Sequence, residues 1–248
     1  MNLVIDMGNT SVKLGLFSSG ELKAYLVLPE FRMSELRNFL DENGAPENVI
    51  LSSVIMKNEE LENYLSTNFF LLKLDHKTDL PIKKLYQTPE TLGNDRLAGA
   101  VGAAFSFPHE PVLLIDAGTC IKYDFVNAAG EYAGGAISPG LNMRFQAMHN
   151  YTARLPLINP DMLKTNEDIH LTGDSTNNSL LAGGAKGALF EMEGFINAYE
   201  ERYPGLNVIL TGGDASFFEL HLKRKIFALP QLVLLGLNII LEHNLKQT

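Results

Sequence analysis

One stretch near the start of this chain occurs twice, and a duplication constrains the fold more tightly than composition does. Leu3 to Glu21 (LVIDMGNTSVKLGLFSSGE) aligns without gaps on Leu113 to Glu131 (LLIDAGTCIKYDFVNAAGE), an offset of 110 residues. Leu3, Ile5, Asp6, Gly8, Gly20 and Glu21 recur as Leu113, Ile115, Asp116, Gly118, Gly130 and Glu131. The shared plan is an apolar strand, a D-x-G turn, a second strand and a turn closed by Gly-Glu. Each half therefore opens with a β-meander, its third strand expected at about 22–28 or 131–137. Beyond the meanders, apolar periodicity predicts helices at 34–43, 58–67, 91–107, 140–150, 178–202, 214–223 and 231–246. Further strands are predicted near 48–53, 69–74, 111–116 and 207–211. This is an α/β architecture. Pro108 and Pro111 bracket His109 and Glu110, so the expected domains are 1–109 and 110–248. A cleft between duplicated halves is the default ligand site, and the polar segment Leu157 to Thr176, with Pro160, reads as a loop near it.

Charge and cysteine content narrow the function class. The net charge of −9 lacks the basic footprint of a nucleic-acid binder, so no nucleic-acid partner is expected. Cys120 stands alone, which excludes an internal disulfide and a multi-cysteine metal site and fits a reducing compartment. The start MNLVIDMGNT has no basic residue before Lys13, unlike a signal peptide, and the apolar run at 232–241 is about half a membrane span. A soluble cytoplasmic protein without a membrane partner is the expectation.

Several constellations bear on chemistry. Asp6-Met7-Gly8-Asn9-Thr10, followed by Lys13, puts an acid at a strand end, then a tight turn whose N–H groups and lysine suit phosphates; a plain hairpin turn is the bland alternative. The second copy, Asp116-Ala117-Gly118-Thr119, favours function, because two such hairpins can grip a nucleotide and its metal from both sides. Tyr86 to Arg96 (YQTPETLGNDR) precedes an apolar helix. There Gly93 admits a ligand to the backbone, Arg96 can hold an anion, and Asp95 is either a helix-start acid or a base for an attacking hydroxyl. Thr211-Gly212-Gly213-Asp214 follows a strand and precedes a helix, so its backbone can pass beneath a nucleoside. Gly134 to Gly140 and Gly183 to Gly187 are equally well explained by helix starts and close packing. No P-loop, dinucleotide turn, HExxH or nucleophile elbow is present, so phosphoryl transfer between two α/β lobes leads by elimination.

Together these motifs resemble the type III pantothenate kinases of the acetate and sugar kinase/Hsp70/actin superfamily. The likeness runs nearly end to end: D-x-G-N-T-x-x-K at Asp6–Lys13, Y-x-x-P-x-x-L-G-x-D-R at Tyr86–Arg96, D-x-G-T at Asp116–Thr119, G-G-x-I-x-P-G at Gly134–Gly140, G-x-x-T ending at Thr176, and T-G-G-D at Thr211–Asp214. The resemblance implies two actin-like (ribonuclease H-like) halves and ATP-dependent phosphorylation of pantothenate to 4′-phosphopantothenate, the first step toward coenzyme A. It implies Asp95 as general base, and Tyr86, Gly93, Asn94, Asp95, Arg96 and Thr176 as the pantothenate site. Asp6, Met7, Gly8, Asn9, Thr10, Ser11, Val12 and Lys13, with Thr119, become the ATP-phosphate grip, Asp6 being linked to Mg²⁺. Asp116 becomes the site of a monovalent cation, K⁺ or NH₄⁺, and the family forms homodimers, a state for which the apolar helix near 231–241 offers a surface unless it is buried internally. One departure stands out. After D-x-G-T the family continues with small residues and a threonine, whereas this chain has Cys120-Ile121-Lys122-Tyr123, bringing a positive charge near the expected cation site. Cys120 itself reads as a small buried residue. A kinase for another small alcohol or sugar, and a non-catalytic transcriptional accessory protein, are the alternatives.

Overall fold

Each copy of the duplicated stretch folds as a three-stranded meander. The computed structural model describes residues 1–53, 58–159, 163 and 169–247; Pro160, within the expected 157–176 loop, lies outside the described residues. The first meander is β1 (Asn2–Met7), β2 (Val12–Ser18) and β3 (Glu21–Leu28). With β4 (Asn48–Ser53) and β5 (Phe70–Lys73) it forms a sheet of order β3-β2-β1-β4-β5, in which β1 runs antiparallel to β2 and parallel to β4. Leu3, Val4 and Ile5 are fully buried, as the uninterrupted apolar run of a sandwiched central strand requires. Helix α1 (Met33–Asn43) buries Leu36, Phe39 and Leu40, one helical face. Helix α2 (Glu59–Asn68) starts at Asn58, whose side chain accepts the Leu61 N–H at 3.0 Å, and carries Glu59, Glu60 and Glu62 at its positive end. A two-residue strand, β6 (Lys83–Lys84), pairs with Glu131 and Tyr132. A 3₁₀ turn, Pro89–Thr91, then leads into α3 (Asn94–Ser106), which starts later than the predicted 91 because Gly93 takes the extended cap conformation.

The second meander is β7 (Val112–Ala117), β8 (Cys120–Val126) and β9 (Glu131–Pro139). Helix α4 (Leu141–Asn150) follows. The single helix predicted over 178–202 is α5 (Thr176–Leu181), a π segment Ala182–Lys186, and α6 (Gly187–Arg202). The wider π turn falls where Gly184 packs so close to the Phe145 ring that a side chain would collide with it. Strand β10 (Asn207–Thr211), helix α7 (Ala215–His221) and strand β11 (Phe227–Ala228) complete the order β11-β10-β7-β8-β9-β6, with β10 parallel to β7. Tyr123, fully buried on β8, stacks on Phe195 at 4.1 Å in the core of this half.

The last helix, α8 (Leu232–Leu245), does not stay with the second meander. One compact unit comprises Met1–Pro108, Gly130–Ala133 and Gln231–Thr248, the other His109–Ala129 and Gly134–Pro230. The units change over at Pro108, and the residues of the C-terminal helix group with the N-terminal ones. Packing explains this. A side-chain carbon at Gly102 of α3 would sit 2.7 Å from the Leu232 carbonyl, and one at Gly236 would collide with the Ala98 carbonyl, so the two helices meet through glycine. The amides of Asn48, Asn2 and Asn238 form a chain at 3.1 and 2.9 Å that satisfies the buried Asn238. The apolar surface of α8 is thus consumed inside its own unit and offers no argument for a dimer.

Candidate active site

Both acids of the repeat end a strand that has a parallel neighbour, the edge at which open α/β sheets take ligands. Asp6 lies level with Ser52 of β4, and Asp116 with Thr211 of β10. Across the antiparallel ladder Asp6 pairs with Lys13, and Asp116 with Lys122. Directly opposed residues share a face, so each repeat sets a lysine, a carboxylate and a hydroxyl residue side by side.

This register corrects the gapless alignment, which matched Lys13 to Tyr123. The first turn has four residues, Gly8–Ser11, between the Met7↔Val12 pair; the second has three, Gly118–Cys120, between Ala117↔Ile121. Lys122 is therefore the counterpart of Lys13. The missing residue returns before Gly130, where Asn127 and Ala129 close a longer loop at 3.0 Å, against the tight Ser19-Gly20 turn with φ of 52° and 78°.

The two acids differ in surroundings. Asp6 is 8% exposed and accepts the Ser52 hydroxyl at 3.3 Å. Asp116 has Lys122 Nζ 2.7 Å from its Oδ2, with side-chain exposures of 16% for the lysine and 18% for the acid. Its Oδ1 lies under Gly212, where φ is 99° and a side-chain carbon would come within 2.5 Å of that oxygen. The Asp214 N–H donates to the Ala117 carbonyl at 2.9 Å and the Gly140 N–H to the Thr119 carbonyl at 3.2 Å, so two further motifs fasten onto the second turn. Burial pushes the Asp214 carboxyl up. Asn9, Thr10 and Thr119 are exposed at the turn tips, Ser11 and Lys13 are half-buried, and Met7 and Val12 are buried beneath. Cys120 is half-buried rather than buried.

At the start of α3, Asp95 folds back over its own cap: a side-chain carbon at Gly93 would lie 2.5 Å from Asp95 Oδ1 and would push that carboxylate aside. Asp95 is half-buried, Arg96 only 6% exposed. The Arg96 guanidinium lies over the Tyr86 ring at 5.6 Å, and Tyr86 stacks on Tyr132 at 6.0 Å. Asn94 Nδ2 donates to the Leu74 carbonyl at 3.0 Å, so its amide ties α3 to the end of β5. Tyr86, Gly93, Asn94, Asp95 and Arg96 thus form one cluster in the first unit. Thr176 belongs to the second unit, exposed at the first position of α5, whose cap Ser175 accepts the Asn178 N–H at 3.2 Å.

Sequence reasoning did not find Ser52 or Tyr132, nor a network behind the second turn. Glu191 of α6 accepts from Ser138, from Tyr123 at 3.1 Å and from Arg144 at 2.7 Å, while Arg144 Nε donates to the Pro139 carbonyl at 2.8 Å. Burial alone would raise the Glu191 carboxyl; the Ser138 and Arg144 hydrogen bonds and the arginine charge outweigh it and hold the group below its usual value. Tyr123 is pushed up, first by burial and then by the Glu191 charge. A lone glutamate inside a helix carries no signal in the sequence; Ser52, a hydroxyl ending a strand parallel to β1, was the one legible hint.

Among the described residues, no three His, Cys, Asp or Glu side chains gather as for a metal held by protein alone. Mg²⁺ takes one or two carboxylates plus substrate phosphates, and Asp6, with the Ser52 hydroxyl at 3.3 Å, is the carboxylate of the first turn that could serve it. Lys122 Nζ lies 2.7 Å from the carboxylate to which the resemblance assigns a monovalent cation.

The sequence profile of the type III pantothenate kinases matches residues 2–198. This chain belongs to the type III pantothenate kinase family. A type III pantothenate kinase of Christiangramia forsetii is 42% identical over 248 residues, covering 100% of both chains, and one of Cytophaga hutchinsonii is 44% identical over 98% of this chain and 100% of its own. Among solved structures, a Campylobacter jejuni protein named as a Baf family transcriptional activator has a TM-score of 0.63 at 20% identity, covering 98% of this chain and 99% of its own. A Listeria monocytogenes protein named as an N-acetylmannosamine kinase has a TM-score of 0.56 at 15% identity over 98% and 99%. At such identities the likeness speaks for the fold alone, that of the actin, Hsp70 and sugar kinases. No described helix of this pantothenate kinase is long and apolar enough to cross a membrane.

Proposed function

We propose that this type III pantothenate kinase transfers the γ-phosphate of ATP to the primary hydroxyl of pantothenate, giving 4′-phosphopantothenate, with Asp95 as the base. The observation that carries this reading is the whole-length identity of about two residues in five to proteins of that name. The geometry supports the division of labour. Asp95 stands in the first turn of α3, where its carboxylate can accept a hydroxyl proton. The buried Arg96 on Tyr86 suits the pantothenate carboxylate, Gly93 leaves the backbone approachable, and Asn94 holds the segment in place. Thr176 adds a hydroxyl contact.

The turn from Asp6 to Lys13, with Thr119, supplies N–H groups, hydroxyls and an ammonium for the phosphates. Asp6 is the carboxylate that would hold Mg²⁺, whose charge neutralises the phosphate oxygens. Phosphoryl transfer asks for positioning and charge more than covalent help, so one base and one cationic grip suffice. A monovalent cation at Asp116 is not part of this reading. The family resemblance further supports a homodimer working in the cytoplasm.

The test is ATP-dependent phosphorylation by the purified protein across a panel of pantothenate, hexoses and N-acetylmannosamine. Phosphate appearing on pantothenate alone is the expected outcome; preference for a sugar would overturn the substrate, and sequence-specific DNA retention without turnover would overturn the kinase.

A further inference from the structure

The second hairpin carries its own cation. Lys122 faces Asp116 because the ladder places them opposite each other, and the shortened turn preserves that register although it shifts the sequence by one residue. The same ladder position holds Lys13 opposite Asp6, so a lysine across from the acid is a property of the repeat in this chain. Asp116 Oδ2 pairs with the Lys122 ammonium at 2.7 Å, and Oδ1 lies so close to Gly212 that a side-chain carbon there would come within 2.5 Å of it. The pair is largely withdrawn from water, at 16% and 18% side-chain exposure, so it is poorly screened and costly to break. A dissolved ion would have to displace either the lysine or the glycine turn.

We infer that the Lys122 ammonium is the resident cation of this hairpin, standing where the family resemblance puts free K⁺ or NH₄⁺, so that turnover needs no added monovalent cation. Chemically the substitution is close. An alkylammonium is a compact single charge with three N–H donors, one of which meets Oδ2, and tethering it removes the entropy of capturing an ion from solution. The inference deepens the kinase reading and rests on it for its rate measurements, while its structural consequence stands apart: with Lys122 neutral, Asp116 becomes an uncompensated, mostly buried charge that recruits a cation.

Initial rates at saturating Mg-ATP and pantothenate are to be compared in potassium, ammonium, sodium and tetramethylammonium chloride at equal ionic strength. The unsubstituted protein should vary by no more than about twofold, whereas Lys122→Met should fall about 10²-fold in sodium or tetramethylammonium and recover in potassium or ammonium. Potassium activation of the unsubstituted protein by about tenfold or more overturns the inference, as does a methionine variant indifferent to salt or slow in every salt. A second readout needs no turnover. Crystals grown with thallium(I), a heavy potassium mimic, should show anomalous scattering at Asp116 in Lys122→Met and none there in the unsubstituted protein; a thallium peak beside Lys122 overturns the inference even if pantothenate proves to be the wrong substrate. If Lys122→Met does not fold, Lys122→Gln and the unsubstituted protein decide the matter by the same two measurements.

Discussion

In the first hairpin the strand-end acid is buried against a serine hydroxyl 3.3 Å away; in the second the corresponding acid is tied to a lysine at 2.7 Å beneath a glycine turn. The backbone plan is the same down to the lysine opposite each acid, yet the turns are four and three residues long. A duplicated scaffold can keep its ladder and still diverge in electrostatics, because ladder register depends on pairing and turn length while charge compensation depends on what the neighbouring loops bring. The acid of the second hairpin carries a lysine on its carboxylate, and its turn is braced at Gly140 and Asp214.

That contrast can be tested from its largest consequence downward. Asp95→Asn should lower kcat by about 10² to 10⁴ with KM for pantothenate little changed, which would keep proton transfer off both hairpins. Nearly unchanged kcat would return the base to Asp6 or Asp116. Next, Asp6→Asn should cost about 10²- to 10³-fold in kcat and shift the magnesium dependence upward, whereas Asp116→Asn, which leaves a lysine in place, should cost clearly less. Equal losses in steady-state assays would erase the asymmetry. On stability, Gly212→Ala combines a positive φ of 99° with a clash on Asp116 Oδ1 and should cost about 1 to 3 kcal/mol in denaturant unfolding. Gly8→Ala, without a positive φ and 3.2 Å from the Ser11 carbonyl, should cost less than about 1 kcal/mol. The reverse order would mean that the first turn is the more tightly braced.

The smallest effect concerns pH. The Glu191 carboxyl is held low in the folded protein, so its contribution is present above the unfolded carboxylate pKa and is lost as pH falls through the lowered folded value. Glu191→Gln should therefore lower the thermal midpoint at neutral pH and make less difference in acid, because protonation weakens the Arg144 pair by itself. A constant difference across the acid range would show that packing, and not the charge, is what Glu191 supplies.

Much of the molecule was legible before any coordinates. Both meanders, the strand at 48–53, the acid-Gly turns and the Tyr86 to Arg96 segment follow from apolar runs and turn residues that act over a few positions. The interruption of 178–202 by a π turn was not legible, because it arises from the Phe145 ring some forty residues away in sequence. Nor was Tyr132 behind Tyr86, or Glu191 behind the Pro139 turn, since neither side chain belongs to a local pattern.

By itself the sequence determined the duplication, the α/β class and, through its ordered motifs, the kinase family. Only the tertiary structure decided which lysine answers Asp116, because a one-residue change in turn length is invisible to a gapless comparison and decisive for a ladder whose side chains alternate faces. It also decided that α8 belongs with the N-terminal unit, since an apolar run declares that it must be buried but not against what; the glycines of α3 and α8, which let the two backbones touch, made that choice.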